Sequence, residues 1–212
     1  APTPDYSEDD MPDLEPRRLH DELARAKEDT RARVELMQRL TAALKDASSK
    51  VRGRAAKALG ELGDKRAAPS LAALLQDPVS GVRQAAATAL GALKSRQAVA
   101  ALMRYVDAST DIRQDLPALF ALRDIGDPRA LPAVLRALEH GPFYLAGLLN
   151  AHAVIPALTT RENLPLLAET MARMVEHYRK LPPPGSRTAP NWVTIKKGLQ
   201  HIYGTALARV AD

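Results

Sequence analysis

The feature that most constrains the fold of this chain is a repeat with a period of 31 residues. Three landmarks recur at this offset: Asp46 at Asp77, Val51-Arg52 at Val82-Arg83, and Leu59-Gly60 at Leu90-Gly91. A third copy begins at Asp107 and is less regular, and a fourth, at His140, has lost both the Asp and the Arg. Repeats of roughly 20 to 50 residues indicate stacked supersecondary units that bury a shared core.

Each copy contains two helical patterns separated by a short turn. Leu71 and Leu75 lie one turn apart on a first (A) helix, and the apolar stripe of a second (B) helix is formed by Val51, Ala55, Leu59 and Leu62. Prolines 69, 132 and 165 mark the starts of A helices, because proline is tolerated in a first helical turn. Aromatic residues make up only 4% of the chain. The predicted fold is all-α, an α-solenoid of about five helical hairpins with N-terminal capping helices.

These residues resemble the HEAT-repeat superfamily, in particular the short bacterial type also found in phycobilisome lyases. The matching pattern runs through Asp46, Val51-Arg52, Ala55-Ala56, Ala58-Leu59-Gly60 and Leu62-Gly63-Asp64. The resemblance implies a hydrogen-bonded ladder between successive repeats. Its acids would be Asp46, Asp77 and Asp107, and their partners would be Arg52, Arg83 and Arg113. His140 and Ala146 depart from the pattern, so the ladder should stop before the fourth repeat.

Composition divides the chain into four segments. Residues 1–16 form an acidic, Pro-rich tail that is expected to be disordered, and residues 17–36 a capping helix. Residues 37–160 hold the HEAT-like repeats. Residues 161–212 form a degenerate C-terminal hairpin whose Pro-rich loop, 181–191, is either a functional loop or a plain connector.

The charge of the chain is unevenly distributed. Residues 1–16 carry six acids and no base, and removing these from the net charge of +5 leaves +11 for residues 17–212. The tail is hypothesised to cover a basic groove of its own chain or to dock on a basic partner. Ala1 fits a chain processed after export, and a trimmed cytoplasmic chain fits equally well. No apolar run is long enough to span a bilayer.

The sequence contains none of the common catalytic motifs. There is no Gly-rich phosphate loop, no His-Glu-x-x-His and no nucleophile elbow, and the absence of cysteine excludes thiolate chemistry. Pigment attachment, as in a phycobilin lyase, requires a large apolar pocket and acid–base groups that the sequence does not identify. The chain is therefore predicted not to be an enzyme and to need no cofactor or metal.

Candidate binding residues lie on the B helices. Lys50, Arg54 and Lys57 fall on the face of the first B helix opposite its apolar stripe, and a solvated helix face is the alternative reading. The fourth repeat offers Phe143, Tyr144 and Leu148. We expect a protein–protein interaction scaffold that binds a protein or peptide on its concave B-helix surface. The alternative is nucleic-acid binding, in which the basic body contacts phosphates.

Overall fold

The computed structural model describes residues 14–108, 112–140, 145–179 and 192–211, without the side chains of 112–115, 138, 140, 145–150, 177–179 and 192–196. Within these ranges the chain forms α-helices and short 3-10 turns, with no β-strand. The α-helices are α1 Pro16–Glu28, α2 Thr30–Ala43, α3 Ser49–Leu62, α4 Ala68–Ala73, α5 Ser80–Ala92, α6 Val99–Ala108, α7 Ile112–Ile125, α8 Leu131–His140, α9 Leu145–Leu158, α10 Leu164–Arg179 and α11 Trp192–Ala211.

The chain divides into two compact units, and the first, residues 1–93, contains α1 to α5. In this unit α3 packs against both α1 and α5, and α2 packs against α1 and α3. The predicted apolar stripe of α3 is buried, since Val51, Ala55, Leu59 and Leu62 are each at most 7% exposed. Because this stripe is buried, the opposite face of α3 lies at the surface, beside α1 and α5.

Gly60 sets the distance between α3 and α5. A Cβ atom at this position would lie 2.8 Å from the Cα of Ala89 and 2.9 Å from its Cβ, closer than carbon atoms pack. The missing side chain therefore lets the two helices approach closely, and Ala89 is itself only 2% exposed.

The A helices begin where the prolines predict. Pro69, Pro132 and Pro165 are each the second residue of a helix, α4, α8 and α10 respectively. The A helix of the second repeat is not continuous, because α4 has only six residues and lies between the 3-10 turns Lys65–Ala67 and Leu74–Gln76.

The turn that leads into an A helix has the same geometry in two places. Gly63 and Gly126 adopt left-handed conformations with φ of 72° and 68°, which a residue without a Cβ adopts at little cost. Asp64 and Asp127 follow, are nearly buried, and accept hydrogen bonds from the backbone N–H two residues later. The guanidinium groups of Arg66 and Arg129 bind the same carboxylates and hold their pKa below the usual value of aspartate.

The second unit, residues 94–212, contains α6 to α11. In it α8 packs against α6 and α10, α9 packs against α7 and α11, and each A helix packs on the B helix that follows it. With α2/α3 and α4/α5 of the first unit, the described residues therefore hold five helical hairpins preceded by α1. This confirms the predicted fold class, an all-α protein of HEAT-like hairpins.

Two predicted segments lie outside the described residues, namely the acidic tail up to residue 13 and the loop 181–191. Leu14 is 4% exposed, and α1 begins at Pro16. The range 17–36 covers most of α1 and the first half of α2, with a break at Asp29. None of the described helices is both long enough and apolar enough to cross a membrane.

Candidate partner-binding groove

A groove of about 600 Å³ runs between α3 and α5. Its α3 wall contains the predicted residues Lys50, Arg54 and Lys57, which we name the basic ridge. The remaining lining residues are Ser49, Gly53, Gly60, Glu61, Val79, Gly81, Val82, Ala85, Thr88, Ala89 and Ala92. The structure therefore brings the three predicted cations together along one side of a groove whose other side is formed mainly by small residues.

The groove follows from a difference between adjacent repeats. Lys50, Arg54, Lys57 and Glu61 are spaced by three or four residues, which places them on one face of α3. The positions 31 residues later on α5 are Gly81, Ala85, Thr88 and Ala92. Because long side chains on one helix face small ones on the next, a cleft is left between them instead of an even surface.

A second, smaller groove of about 270 Å³ lies on the other side of α3, against α1. It is lined by Leu14, Pro16, Leu19, His20, Leu23, Arg54, Lys57, Ala58 and Glu61. Arg54, Lys57 and Glu61 thus belong to both grooves. The described chain begins in the second groove, at the buried Leu14.

Some of the described cations of the first unit are paired and others are not; the basic ridge belongs to the second group, with Arg17, Arg25, Lys27, Lys45 and Lys65. Among the described residues, Arg33, Arg39, Arg52 and Arg66 each form an ion pair, and Lys50, Arg54 and Lys57 form none. Lys50 and Lys57 are exposed, and Arg54 is partly exposed. The ridge therefore presents three positive charges that the described structure does not neutralise.

Arg52 shows how the repeat uses an arginine for structure. Its guanidinium donates to both carboxylate oxygens of Asp77, at 2.7 and 2.9 Å, and to the carbonyl oxygens of Asp46 and Ala47 at 2.9 Å each. The two side chains are 13% and 7% exposed. Hydrogen bonding to Arg52 lowers the pKa of Asp77, and that to Asp77 raises the pKa of Arg52. This pair joins one repeat to the next.

The aspartates that precede the B helices stabilise the turn before each helix. Asp46 accepts from the backbone N–H of Ser48 at 2.8 Å, and Asp77 accepts from that of Val79 at 2.9 Å. Ser48 and Val79 are the N-cap residues of α3 and α5. Arg83 donates to the carbonyl oxygen of Asp77 at 2.8 Å. Each carboxylate thus binds the amide of the N-cap residue, one position ahead of the free N–H groups inside the helix.

The third predicted ladder acid has a partner that the sequence analysis missed. Asp107 accepts from Arg136 of α8, with a shortest distance of 2.8 Å, and the hydrogen bond raises the pKa of Arg136. The side chain of Arg113 lies outside the described residues. No local pattern marks Arg136, because it is 29 residues from Asp107 and belongs to an A helix.

The apolar part of the predicted binding set is not placed. Phe143 and Tyr144 lie outside the described residues, and Leu148 lies in α9 with its side chain outside the description. Val79, which the sequence analysis did not select, lines the groove and is 41% exposed. Its signal was an apolar residue at the N-cap of α5, where the preceding copy has Ser48.

The described side chains contain no group of three or more His, Cys, Asp or Glu residues that could hold a metal ion. The rings of His152 and His201 lie 6.3 Å apart between centroids, on α9 and α11, with no third ligand beside them in the described part of the chain.

Comparison with known families identifies the repeat. The family described as HEAT repeats matches residues 37–119, and the family described as PBS lyase HEAT-like repeat matches residues 118–140. No curated protein matches the chain significantly.

Two solved structures are similar to this chain. One is the complex of CpcE and CpcF of phycocyanin lyase from Nostoc sp. PCC7120, with 24% identity over 86% of this chain and 77% of that chain and a TM-score of 0.54. The other is an engineered protein, with 18% identity over 92% of this chain and 90% of that chain and a TM-score of 0.49. At these identities, the first likeness shows a shared fold.

The prediction that this chain is not an enzyme is wrong on these findings, because the repeat at residues 118–140 is of the PBS lyase type and a similar structure is that of a phycocyanin lyase. That prediction had followed from the absence of catalytic motifs and of cysteine, and from the lack of an identifiable pocket with acid–base groups. The α3–α5 groove supplies a pocket. Residues 37–119 of this chain thus match the HEAT-repeat family, and residues 118–140 match the PBS lyase HEAT-like repeat.

Proposed function

We propose that this chain binds a protein partner in the α3–α5 groove, with the basic ridge contacting acidic side chains of that partner. The observation that carries the proposal is the ridge itself, three cations without ion-pair partners among the described residues, beside a groove of small residues. Arg33, Arg52 and Arg66 of this unit, by contrast, form ion pairs within the fold.

The dimensions of the groove suit a peptide or helix. Pockets for small molecules have volumes of about 300 to 1,000 Å³, and this groove lies within that range, enough to hold a few side chains of a partner. The basic ridge extends from Lys50 to Lys57, two turns or about 10 Å along α3. A partner helix that places its acidic residues on this ridge and small apolar residues over Ala85 and Ala92 would match both walls.

Comparison with the similar structure supports a protein partner. That structure is a complex of two proteins, CpcE and CpcF. Helical-repeat chains expose long faces that a second protein can cover, since each repeat contacts only its neighbours in sequence.

A site-specific crosslinking experiment tests the proposal. A photoreactive amino acid at Ala85, in the groove, is compared with the same substitution at the exposed Gln38 of α2, which lines neither groove. In an extract of the native organism we expect a discrete adduct from position 85 and none from position 38. Equal labelling from both positions, or none from either, would contradict the proposal.

Charge reversal then shows whether the ridge contributes. Lys57→Glu should reduce the yield of the position-85 adduct several-fold, and the exposed Lys65, which lies outside both grooves, provides the matched control as Lys65→Glu. Loss of the adduct after nuclease treatment would instead favour nucleic acid. Its binding weakens steeply as salt rises, because binding releases counterions and this release is less favourable at high salt.

A second candidate function, lyase-type chemistry on a pigment, is favoured by the PBS lyase repeat together with the groove. A linear tetrapyrrole carries two propionate groups, which the ridge could bind while the rings lie against the small residues of α5. The purified chain is mixed with such a pigment, and its visible absorption is compared with that of Lys50→Gln/Arg54→Gln/Lys57→Gln. A shifted band that the triple variant loses is expected. Unchanged spectra for both proteins would remove this candidate.

A further inference from the structure

We propose that residues 1–13 of this chain occupy its own α3–α5 groove, with their carboxylates on Lys50, Arg54 and Lys57. The proposal concerns regulation of the groove and rests on the proposed function only for its consequence, competition with a partner. The placement of the segment in the groove can be tested on this chain alone, without any partner.

The described part of the chain begins next to the basic ridge. Leu14 is buried in the α1–α3 groove, which it shares with Arg54 and Lys57. Asp13 is covalently joined to a residue that lies beside the basic ridge. The α3–α5 groove lies on the other side of that same ridge, because Arg54, Lys57 and Glu61 line both grooves.

The length of the segment is sufficient. Packed helices lie about 8–10 Å apart, and an extended chain covers up to about 3.3 Å per residue. Three or four residues therefore cross α3. The rest of the segment is long enough to run along the two helical turns between Lys57 and Lys50.

The charges of the segment and the ridge are complementary. Residues 1–13 carry Asp5, Glu8, Asp9, Asp10 and Asp13 and no basic residue. The α3 wall carries three cations and one acid, Glu61. Exposed ion pairs are individually weak, but the covalent tether gives the segment an effective concentration in the millimolar range, so modest affinity suffices for occupancy.

The segment also offers apolar side chains for the small-residue wall. Tyr6 and Met11 are placed among the acids. The opposite wall presents Gly81 and Ala85, and Val79 is 41% exposed at one end of the groove. Burial of an aromatic ring or a thioether over these small residues removes apolar surface from water on both sides.

A crosslinking measurement on the full chain tests the placement. The sequence contains no cysteine, so introduced pairs are unique. Ser7→Cys leaves every charge of the segment intact and is combined with Thr88→Cys in the groove. The matched control is Ser7→Cys with Ala24→Cys. Position 24 is exposed, lies on α1, the helix that follows the segment in sequence, and lines neither groove.

We expect the intramolecular crosslink to position 88 to form about tenfold faster than that to position 24 at low salt. The difference should vanish near 1 M salt, where the Debye length is about 3 Å. Equal rates, or a ratio that salt leaves unchanged, would overturn the proposal. Covalent dimers in place of the intramolecular product would also overturn it, since they would assign the groove to the segment of a second copy.

A variant in which the acids of the segment are neutralised tests the proposal without changing any residue of the helical core. With Asp5→Asn, Glu8→Gln, Asp9→Asn, Asp10→Asn and Asp13→Asn, the rate to position 88 should fall to that of position 24. If the segment competes with a partner, the same variant should increase the position-85 partner adduct several-fold. A segment crosslink in the parent, with no partner adduct even from the acid-neutralised variant, would reject the proposed function and leave this placement standing.

Discussion

Two arginines on α3 are separated by one residue and are used in opposite ways. Arg52 is 13% exposed and binds Asp77 through both carboxylate oxygens, and Arg54 lines two grooves and forms no ion pair among the described residues. Arg52 recurs in the next repeat as Arg83, and the position of Arg54 becomes Ala85. The residue that the repeat keeps joins two repeats, and the one that it varies lines the α3–α5 groove.

This difference separates positions of the repeat that are needed for stability from positions that are free to vary. A position that must satisfy its neighbour in every copy cannot easily vary, because an unpaired buried charge is costly. A position on the solvent side of the same helix carries no such cost. We therefore expect substitutions on the Arg52 side to change stability, and those on the Arg54 side to change binding.

The largest effect is expected from Asp77→Ala. Removing this carboxylate leaves the guanidinium of Arg52 nearly buried without its partner and also removes the acceptor for the N–H of Val79. Loss of one member of such a pair costs about 3 kcal/mol of unfolding free energy. The urea midpoint, followed by circular dichroism, measures it. A midpoint within error of the parent would show that the Arg52 side is not structural.

Asp77→Asn separates the effect of the charge from that of the hydrogen bond, because its amide oxygen can still accept from the N–H of Val79 while the charge is lost. Since the pKa of Asp77 is lowered in the folded state, its charged form contributes stability above the pKa of the unfolded chain, about 3.9. That contribution disappears as the pH falls through the lowered pKa. The stability difference between the parent and Asp77→Asn should therefore be full at pH 7 and shrink below about pH 4. A constant difference across this range would assign the effect to packing.

A smaller loss is expected from Gly60→Ala, which tests the close approach of α3 and α5. The new methyl group would lie 2.8 Å from the Cα of Ala89, so the helices must separate. We expect a loss of about 2 kcal/mol in unfolding free energy, because overpacking outweighs the better helix propensity of alanine.

Gly53→Ala on the same helix is the matched control for this prediction. A Cβ at Gly53 meets no atom within 4 Å, so the substitution should stabilise by about 0.5–1 kcal/mol. The two variants thus have opposite signs in the same urea measurement. If both stabilise, the spacing of α3 and α5 is not set by Gly60, and the groove between them has another cause.

The sequence predicted the repeat because its signals are local. The starts of α3 and α5, at Ser49 and Ser80, are 31 residues apart, as the period requires. Pro69, Pro132 and Pro165 marked A helices because proline acts on its own helical turn. The sequence analysis expected a basic groove on the B helices but not its width, which depends on the distance between two helices. Arg136 was missed because its partner Asp107 is 29 residues away.

A stabilising substitution is expected in the turn that departs from its relatives. Lys94 has φ of 47°, in a position where the other two turns have Gly63 and Gly126. For a residue with a side chain this conformation costs about 1–2 kcal/mol. Glycine avoids that cost, but part of the gain is lost because glycine makes the unfolded chain more flexible. Lys94→Gly should therefore raise the unfolding free energy by about 1 kcal/mol.

The reciprocal change, Gly63→Lys, provides the control for that turn. A Cβ at Gly63 meets no atom within 4 Å, so only the conformational cost is introduced. The thermal midpoint should fall in Gly63→Lys and rise in Lys94→Gly. Equal shifts of the same sign would show that the long lysine side chain, and not the backbone conformation, determines the stability of these turns.

The smallest effect on stability is expected where the proposed function is placed. Arg54→Gln and Lys57→Gln remove charges that no ion pair of the described structure uses, so the unfolding free energy should change by less than about 0.5 kcal/mol. The same variants should lower the yield of the partner adduct from position 85 several-fold. A stability loss comparable to that of Asp77→Ala would place Arg54 and Arg52 in the same structural class. The distinction between the two sides of α3 would then fail, because both would be needed to hold the repeats together.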